Sequence, residues 1–144
     1  MRIVYVACHG RSGSTLVGSV LGLLDDFCFV GEVRTAWTDG IRDNRACGCG
    51  KPFRDCAFWS SVFERAYGGF DTPAARAAYD IFIAYHRPFG SADLWGAVIG
   101  RRAKARRVAR YLVALEPLYR AIHTESGGKI IIDTSKHLRY GMLL

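Results

Sequence analysis

The residues best placed to do chemistry are Gly10, Arg11, Ser12, Gly13, Ser14, Thr15 and Leu16, a GRSGSTL stretch between the apolar run Ile3 to Cys8 and a helical pattern. The two glycines let the backbone turn where a Cβ would clash, so successive N–H groups converge on one point at a helix N-terminus. Such a point binds an anion. Arg11 adds a cation and Ser12, Ser14 and Thr15 add hydroxyls, a set suited to a phosphate or sulfate ester rather than a carboxylate. Without a ligand in view, the same residues would be a Gly/Ser helix start with an exposed arginine.

Two familiar anion loops do not fit. A Walker A loop ends in Gly-Lys followed by Ser or Thr, but Gly50-Lys51 and Gly128-Lys129 are followed by Pro52 and Ile130. A phosphatase-type loop pairs a cysteine at the strand end with an arginine further round the turn. After Cys8, Arg11 comes too soon, and Cys8 reads as a buried strand residue.

Positioning these groups takes a sheet. Ile3 to Cys8 is a continuous, partly β-branched apolar run, the pattern of a strand buried on both faces of a parallel sheet. Leu16, Val17, Val20, Leu21 and Leu24 then recur at helical spacing. Phe27 to Val30 reads as a second short strand closed by Gly31, and Lys129 to Asp133 as a third. Loops at the carboxyl ends of parallel strands build one ligand crevice, which would bring Glu32 and Lys136 to the GRSGSTL turn. By position alone, Glu32 is equally well a helix-start glutamate, Lys136 an exposed lysine and Arg34 a solvated arginine.

Asp39 to Arg54 is polar and turn-rich, and it carries Cys47 and Cys49, with Cys56 just beyond. Structural zinc takes four ligands, usually from two Cys-x-x-Cys-like pairs. A Cys-x-Cys and one later cysteine fall short, so no metal is expected and the stretch reads as a substrate-side lid or packing element. Phe58, Trp59, Val62, Phe63 and Ala66 form a core stripe ended by Gly68 and Gly69; Thr72 and Pro73 open a further helix through Tyr85. His86 to Gly90 reads as a loop. Arg101, Arg102, Lys104, Arg106, Arg107 and Arg110 crowd a helix running to about Glu125, the pattern of a solvated face where no nucleic-acid motif interleaves it.

Arg11 to Leu16, RSGSTL, resembles the 5′-phosphosulfate loop of the sulfotransferases that use 3′-phosphoadenosine 5′-phosphosulfate (PAPS), in their tyrosylprotein and bacterial carbohydrate branches. Gly31 to Arg34 resembles that family's base-bearing segment, the CGCG stretch with Cys56 and Trp59 is similar to one in a bacterial branch, and Asp133 to Lys136 resembles the segment set near the sulfonate. The resemblance implies transfer of a sulfonate from PAPS to a hydroxyl on a carbohydrate or other small acceptor. Arg11, Ser12, Gly13, Ser14 and Thr15 would hold the phosphosulfate, Glu32 would take the acceptor proton, and Lys136 with Arg11 would balance charge on the transferred group; no metal is implied. The family's arginine and serine for the 3′-phosphate lie beyond the matching segments. The expectation is therefore a partial domain over 1–144, truncated at its C-terminal side, with a cysteine-rich insertion at about 43–59. Its fold class is α/β, a P-loop-like parallel sheet flanked by helices. Whether such a chain is an enzyme stays open: an inactive nucleotide- or polyanion-binding remnant is the alternative, and a P-loop kinase, lacking GK[ST], a weaker third.

The totals agree with these readings. At 144 residues, half of them hydrophobic, the chain can bury about two thirds of its unfolded surface. Twenty Lys and Arg against 13 Asp and Glu give +7, which favours anionic partners without choosing among them. No secretory signal or membrane span is apparent, and five cysteines, an odd number, read as thiols; a cytoplasmic protein is expected.

Overall fold

Ile130–Asp133 forms the central strand of a small sheet. In the computed structural model, which describes residues 1–86 and 96–144 except the side chains of 96–104, Leu138 and Arg139, three parallel strands lie in the order β1-β3-β2. They are β1 (Ile3–Tyr5), β2 (Phe27–Phe29) and β3 (Ile130–Asp133). Tyr5 is in register with Asp133 and Phe29 with Ile132, so all three strands end at one edge. Among the described residues five α-helices accompany them: α1 (Ser14–Leu21), α2 (Ala57–Tyr67), α3 (Pro73–His86), α4 (Gly96–Glu125) and α5 (Leu138–Gly141). Among the described residues no helix is long and apolar enough to cross a membrane. The loop expected at 87–90 lies outside the described residues, as do the side chains of Arg101, Arg102 and Lys104.

The strands fall where the apolar runs place them, but two burial expectations are overturned. β1 is shorter than Ile3 to Cys8, and it is an edge strand with Val4 exposed; full burial belongs to Ile131 and Ile132 of β3. Cys8 lies past β1 and is only half-buried. The apolar stripe of α1 also faces outward, with Leu16 at 69% and Val20 at 56% exposure. The buried residues of α1 are Ser14 and Gly18 instead. The reason is the Phe29 ring: a Cβ on Gly18 would sit 2.4 Å from it, and one on Gly22 would sit 2.8 Å from the Phe29 Cβ. Only residues without side chains allow that approach, so the small face of the helix meets the sheet.

The larger core lies among the helices. After β2 the chain makes a tight 3₁₀ turn (Val33–Ala36) that runs into a π-helical turn (Trp37–Arg42), which buries Trp37. The Trp37 ring packs edge-on to Phe63 of α2 at 5.6 Å and stacks on Phe82 of α3 at 6.0 Å. Phe53 and Trp59 stack at 4.9 Å, and Tyr67 anchors α2 to α4 by donating to the Ala114 carbonyl at 2.8 Å. The expected stripe at Trp59, Val62 and Phe63 is thus core, and Thr72 caps α3 by accepting from the Ala75 N–H at 3.1 Å. Leu115, Leu118, Tyr119 and Ile122 bury the later face of α4.

His86 is not the loop residue its sequence neighbours suggest. It ends α3 with its ring 4.4 Å from Phe82, and its Nε2 meets the Tyr111 hydroxyl at 3.3 Å. Burial, reinforced by the charges of Arg34, His137 and Arg107, pushes its pKa down from 6.5 to about 4. The folded protein then resists a proton that the unfolded chain accepts. This contribution is complete above pH 6.5 and is lost as pH falls toward about 4. Thermal melts followed between those two pH values should show a falling Tm, and His86→Phe should flatten that slope; an unchanged slope would assign the loss to other groups.

Candidate functional site

Parallel strands ending together place three loops side by side. Val6 N–H donates to the Asp133 carbonyl at 2.9 Å, Val30 N–H to Ile132 at 3.2 Å, and Thr134 N–H to Gly31 at 2.9 Å, so pairing continues past the strands. Gly31, at φ 72°, then releases the chain from β2 and sets Glu32 at the edge. From the β3 side, Lys136 Nζ donates to Glu32 Oε1 in a partly buried ion pair. The two residues expected to share a crevice are in direct contact, 104 positions apart in sequence.

Asp133 makes that meeting reproducible. Its carboxylate is fully buried at the end of β3, where Oδ1 accepts the Ser135 N–H at 2.7 Å and Oδ2 accepts the Tyr119 hydroxyl. Tyr119 is in turn 2.6 Å from the Tyr140 hydroxyl. Desolvation raises the Asp133 pKa, and it holds the Tyr119 and Tyr140 hydroxyls well above their ordinary range. With Ser135 fixed, its Oγ accepts the Arg34 N–H at 3.0 Å and ties the loop after β3 to the loop after β2. Tyr5 completes the lacing from β1: its hydroxyl donates to the Ser135 carbonyl and accepts the His137 N–H at 3.0 Å. The Arg34 side chain is not the solvated arginine its position suggests; its Nε is buried without a hydrogen-bond partner among the described residues.

The GRSGSTL loop leaves β1 at the same edge. Gly13 has φ 78° and Arg11 φ 63°, a left-handed backbone that is costly for an arginine. These turns end in α1, whose first N–H groups, at Ser14, Thr15 and Leu16, have no partner within the helix. Arg11, Ser12, Gly13 and Thr15 are exposed, while Ser14 is buried and its hydroxyl lacks a partner among the described residues. Thr134 Oγ1, at the end of β3, is likewise buried and unpartnered. Buried hydroxyls of this kind are rare and invite a ligand oxygen. The loop and the Glu32–Lys136 pair share the edge, but no described contact joins Arg11 to either residue.

Two hollows open here. One of about 300 Å³ lies where β1 passes into the loop, lined by Tyr5, Ala7, Cys8, His9 and His137. The other, about 450 Å³, has Glu32 and Gly31 on one side and Asp39, Arg45, Cys47, Phe58 and Trp59 on the other. The cysteine-bearing turn thus forms one wall of the cavity that Glu32 enters. The roles of Asp133, Tyr119 and Tyr5 were not visible in the sequence, where each reads as part of an apolar stripe or strand; the one signal was an aspartate closing the run Ile130 to Ile132.

No protein-family model, curated protein or solved structure matches the chain. Fold and site together define a mixed α/β protein whose small parallel sheet, flanked by helices, carries an ion-paired carboxylate and ammonium at its carboxyl edge.

Truncating Asp133 should therefore cost more than neutralising it. Asp133→Ala leaves the Ser135 N–H and Tyr119 hydroxyl unpaired and should lose about 2–4 kcal/mol in urea unfolding. Asp133→Asn keeps an acceptor and relieves the buried charge, and should stay within about 1 kcal/mol of the wild type. Equal losses in the two variants would contradict the role of Asp133 as a buried acceptor.

Proposed function

We propose that this chain binds the phosphosulfate end of PAPS and transfers its sulfonate to a hydroxyl of a small-molecule or glycan acceptor. The observation that carries the reading is the Glu32–Lys136 pair at the carboxyl edge of the sheet, the edge at which the left-handed turns of Arg11 and Gly13 lead into α1. The resemblance of four segments, in order, to PAPS-dependent sulfotransferases supports it, and so does the parallel sheet, which we read as P-loop-like. The five unpaired cysteines suit a reducing compartment such as the cytoplasm.

The residues present fit the donor's 5′ end. The N–H groups at the start of α1 and the Arg11 guanidinium offer charge-assisted contacts to phosphosulfate oxygens, and the buried Ser14 hydroxyl needs the partner such an oxygen supplies. In the transfer, the bond from sulfur to the bridging phosphate oxygen breaks as the acceptor oxygen bonds to sulfur. The acceptor proton passes to Glu32, and the electron pair of the broken bond stays on the leaving 5′-phosphate. Lys136 turns from Glu32 toward the charge developing on the sulfonate and leaving oxygen, where Arg11 joins it. The cavity beyond Glu32, walled by Phe58 and Trp59, offers the acceptor an apolar face with polar groups at its rim.

Glu32→Gln keeps the shape of the side chain and removes its basicity. With PAPS and a panel of hydroxyl acceptors, release of adenosine 3′,5′-bisphosphate should fall by about a hundredfold or more while nucleotide binding persists. Retained turnover would remove Glu32 as the base. Nucleotide binding with no turnover in the wild type would favour the binding remnant.

A further inference from the structure

Cys47, Cys49 and Cys56 arrive from two sides of the cavity wall and bring their sulfurs within 4.8 Å of one another, with Cys47 and Cys56 at 3.6 Å. Zinc–sulfur bonds of about 2.3 Å set tetrahedral sulfurs roughly 3.8 Å apart. The cluster has that size before any ion enters. We propose that these three cysteines hold a thiophilic divalent cation of the zinc class, closing one side of a tetrahedron whose fourth position opens to the cavity shared with Glu32.

The backbone around the sulfurs is a closed turn. Ala46 and Pro52 pair as an antiparallel bridge, Cys47 N–H donates to the Lys51 carbonyl at 2.7 Å and Gly50 N–H to the Cys47 carbonyl at 2.9 Å. Gly50, at φ 86°, closes this tight turn. Cys56 sits at the N-cap of α2.

Sequence spacing leaves the set one ligand short of a closed structural site, and that shortfall is the informative feature. Three protein ligands and an open position are the pattern of a zinc that takes solvent or another small ligand as its fourth partner. Cys47, Cys49 and Cys56 line the same cavity as Glu32, Asp39 and Arg45. Binding releases the thiol protons to solvent, changes no oxidation state and needs no co-reactant. The ion would add to the fastenings of this segment, which include the bridge, the Phe53 side chain, the Arg54 N–H donating to Asn44 Oδ1 at 2.9 Å and the Arg54–Asp71 ion pair at 2.7 Å. The inference does not rest on sulfonate transfer.

The test is metal content of the full chain, reduced, incubated with zinc and freed of excess ion by gel filtration. About one zinc per chain is expected by elemental analysis. Cobalt in its place should give sulfur-to-metal charge-transfer absorption. Cys49→Ser, at an exposed position that leaves the core intact, should lose both signals, whereas a Cys8→Ser, Cys28→Ser double variant should keep them. Stoichiometric zinc with a sulfur-ligated cobalt spectrum that depends on Cys49 supports the site. No metal uptake by the fully reduced chain, or a cobalt spectrum unchanged in Cys49→Ser, overturns it, as does a Cys47–Cys56 disulfide in a chain that takes up no metal after reduction.

Discussion

A carboxylate with no solvent exposure at the end of the central strand is the constraint on which this structure turns. Burying Asp133 costs free energy unless every partner is in place. Its partners come from α4, through Tyr119, and from the turn after β3, through the Ser135 N–H. Satisfying it fixes the helical layer to the sheet and fixes the geometry of Ser135 at once. Because Ser135 then accepts from Arg34, the loop after β2 is registered against the loop after β3, and Glu32 meets Lys136. The arrangement of this edge follows from satisfying one buried carboxylate.

Much of the fold follows from local pattern. Apolar runs located the three strands, Gly68 and Thr72-Pro73 located the α2–α3 junction, and Gly127 and Gly128, both in left-handed backbone, end α4. Pattern reports periodicity, however, and not which face finds a partner. The outward stripe of α1 shows the difference: hydrophobic spacing marked the helix, but its packing is decided by the absence of side chains at Gly18 and Gly22 beneath Phe29. The same limit applies to β1, whose apolar residues suit a central strand although the order β1-β3-β2 puts it at the edge.

The candidate site divides in a similar way. Gly13, Ser14 and Glu32 stand out because turn chemistry and strand ends are local signals. The contact between Glu32 and Lys136, the service of Tyr5 to Ser135 and the meeting of three sulfurs are long-range facts that depend on which loops the sheet sets side by side. His86 is a further case, since its loop-like neighbours hide a ring that ends α3 and packs on Phe82. Glu32, paired with Lys136, and the thiol-bearing turn thus meet at one cavity, while the residues leading into the Arg11 loop line a second hollow.

The central claim is that the loop from Arg11 to Thr15 is a specific phosphosulfate seat rather than one more cation on a basic chain. Calorimetric titration with adenosine 3′,5′-bisphosphate, repeated as salt is raised, addresses it directly when Arg11→Ala is run in parallel. The account predicts saturable single-site binding that tolerates moderate salt and weakens by about tenfold or more in the variant. Binding that collapses with salt and is unchanged in Arg11→Ala would contradict it, placing the affinity in the net positive charge of the molecule.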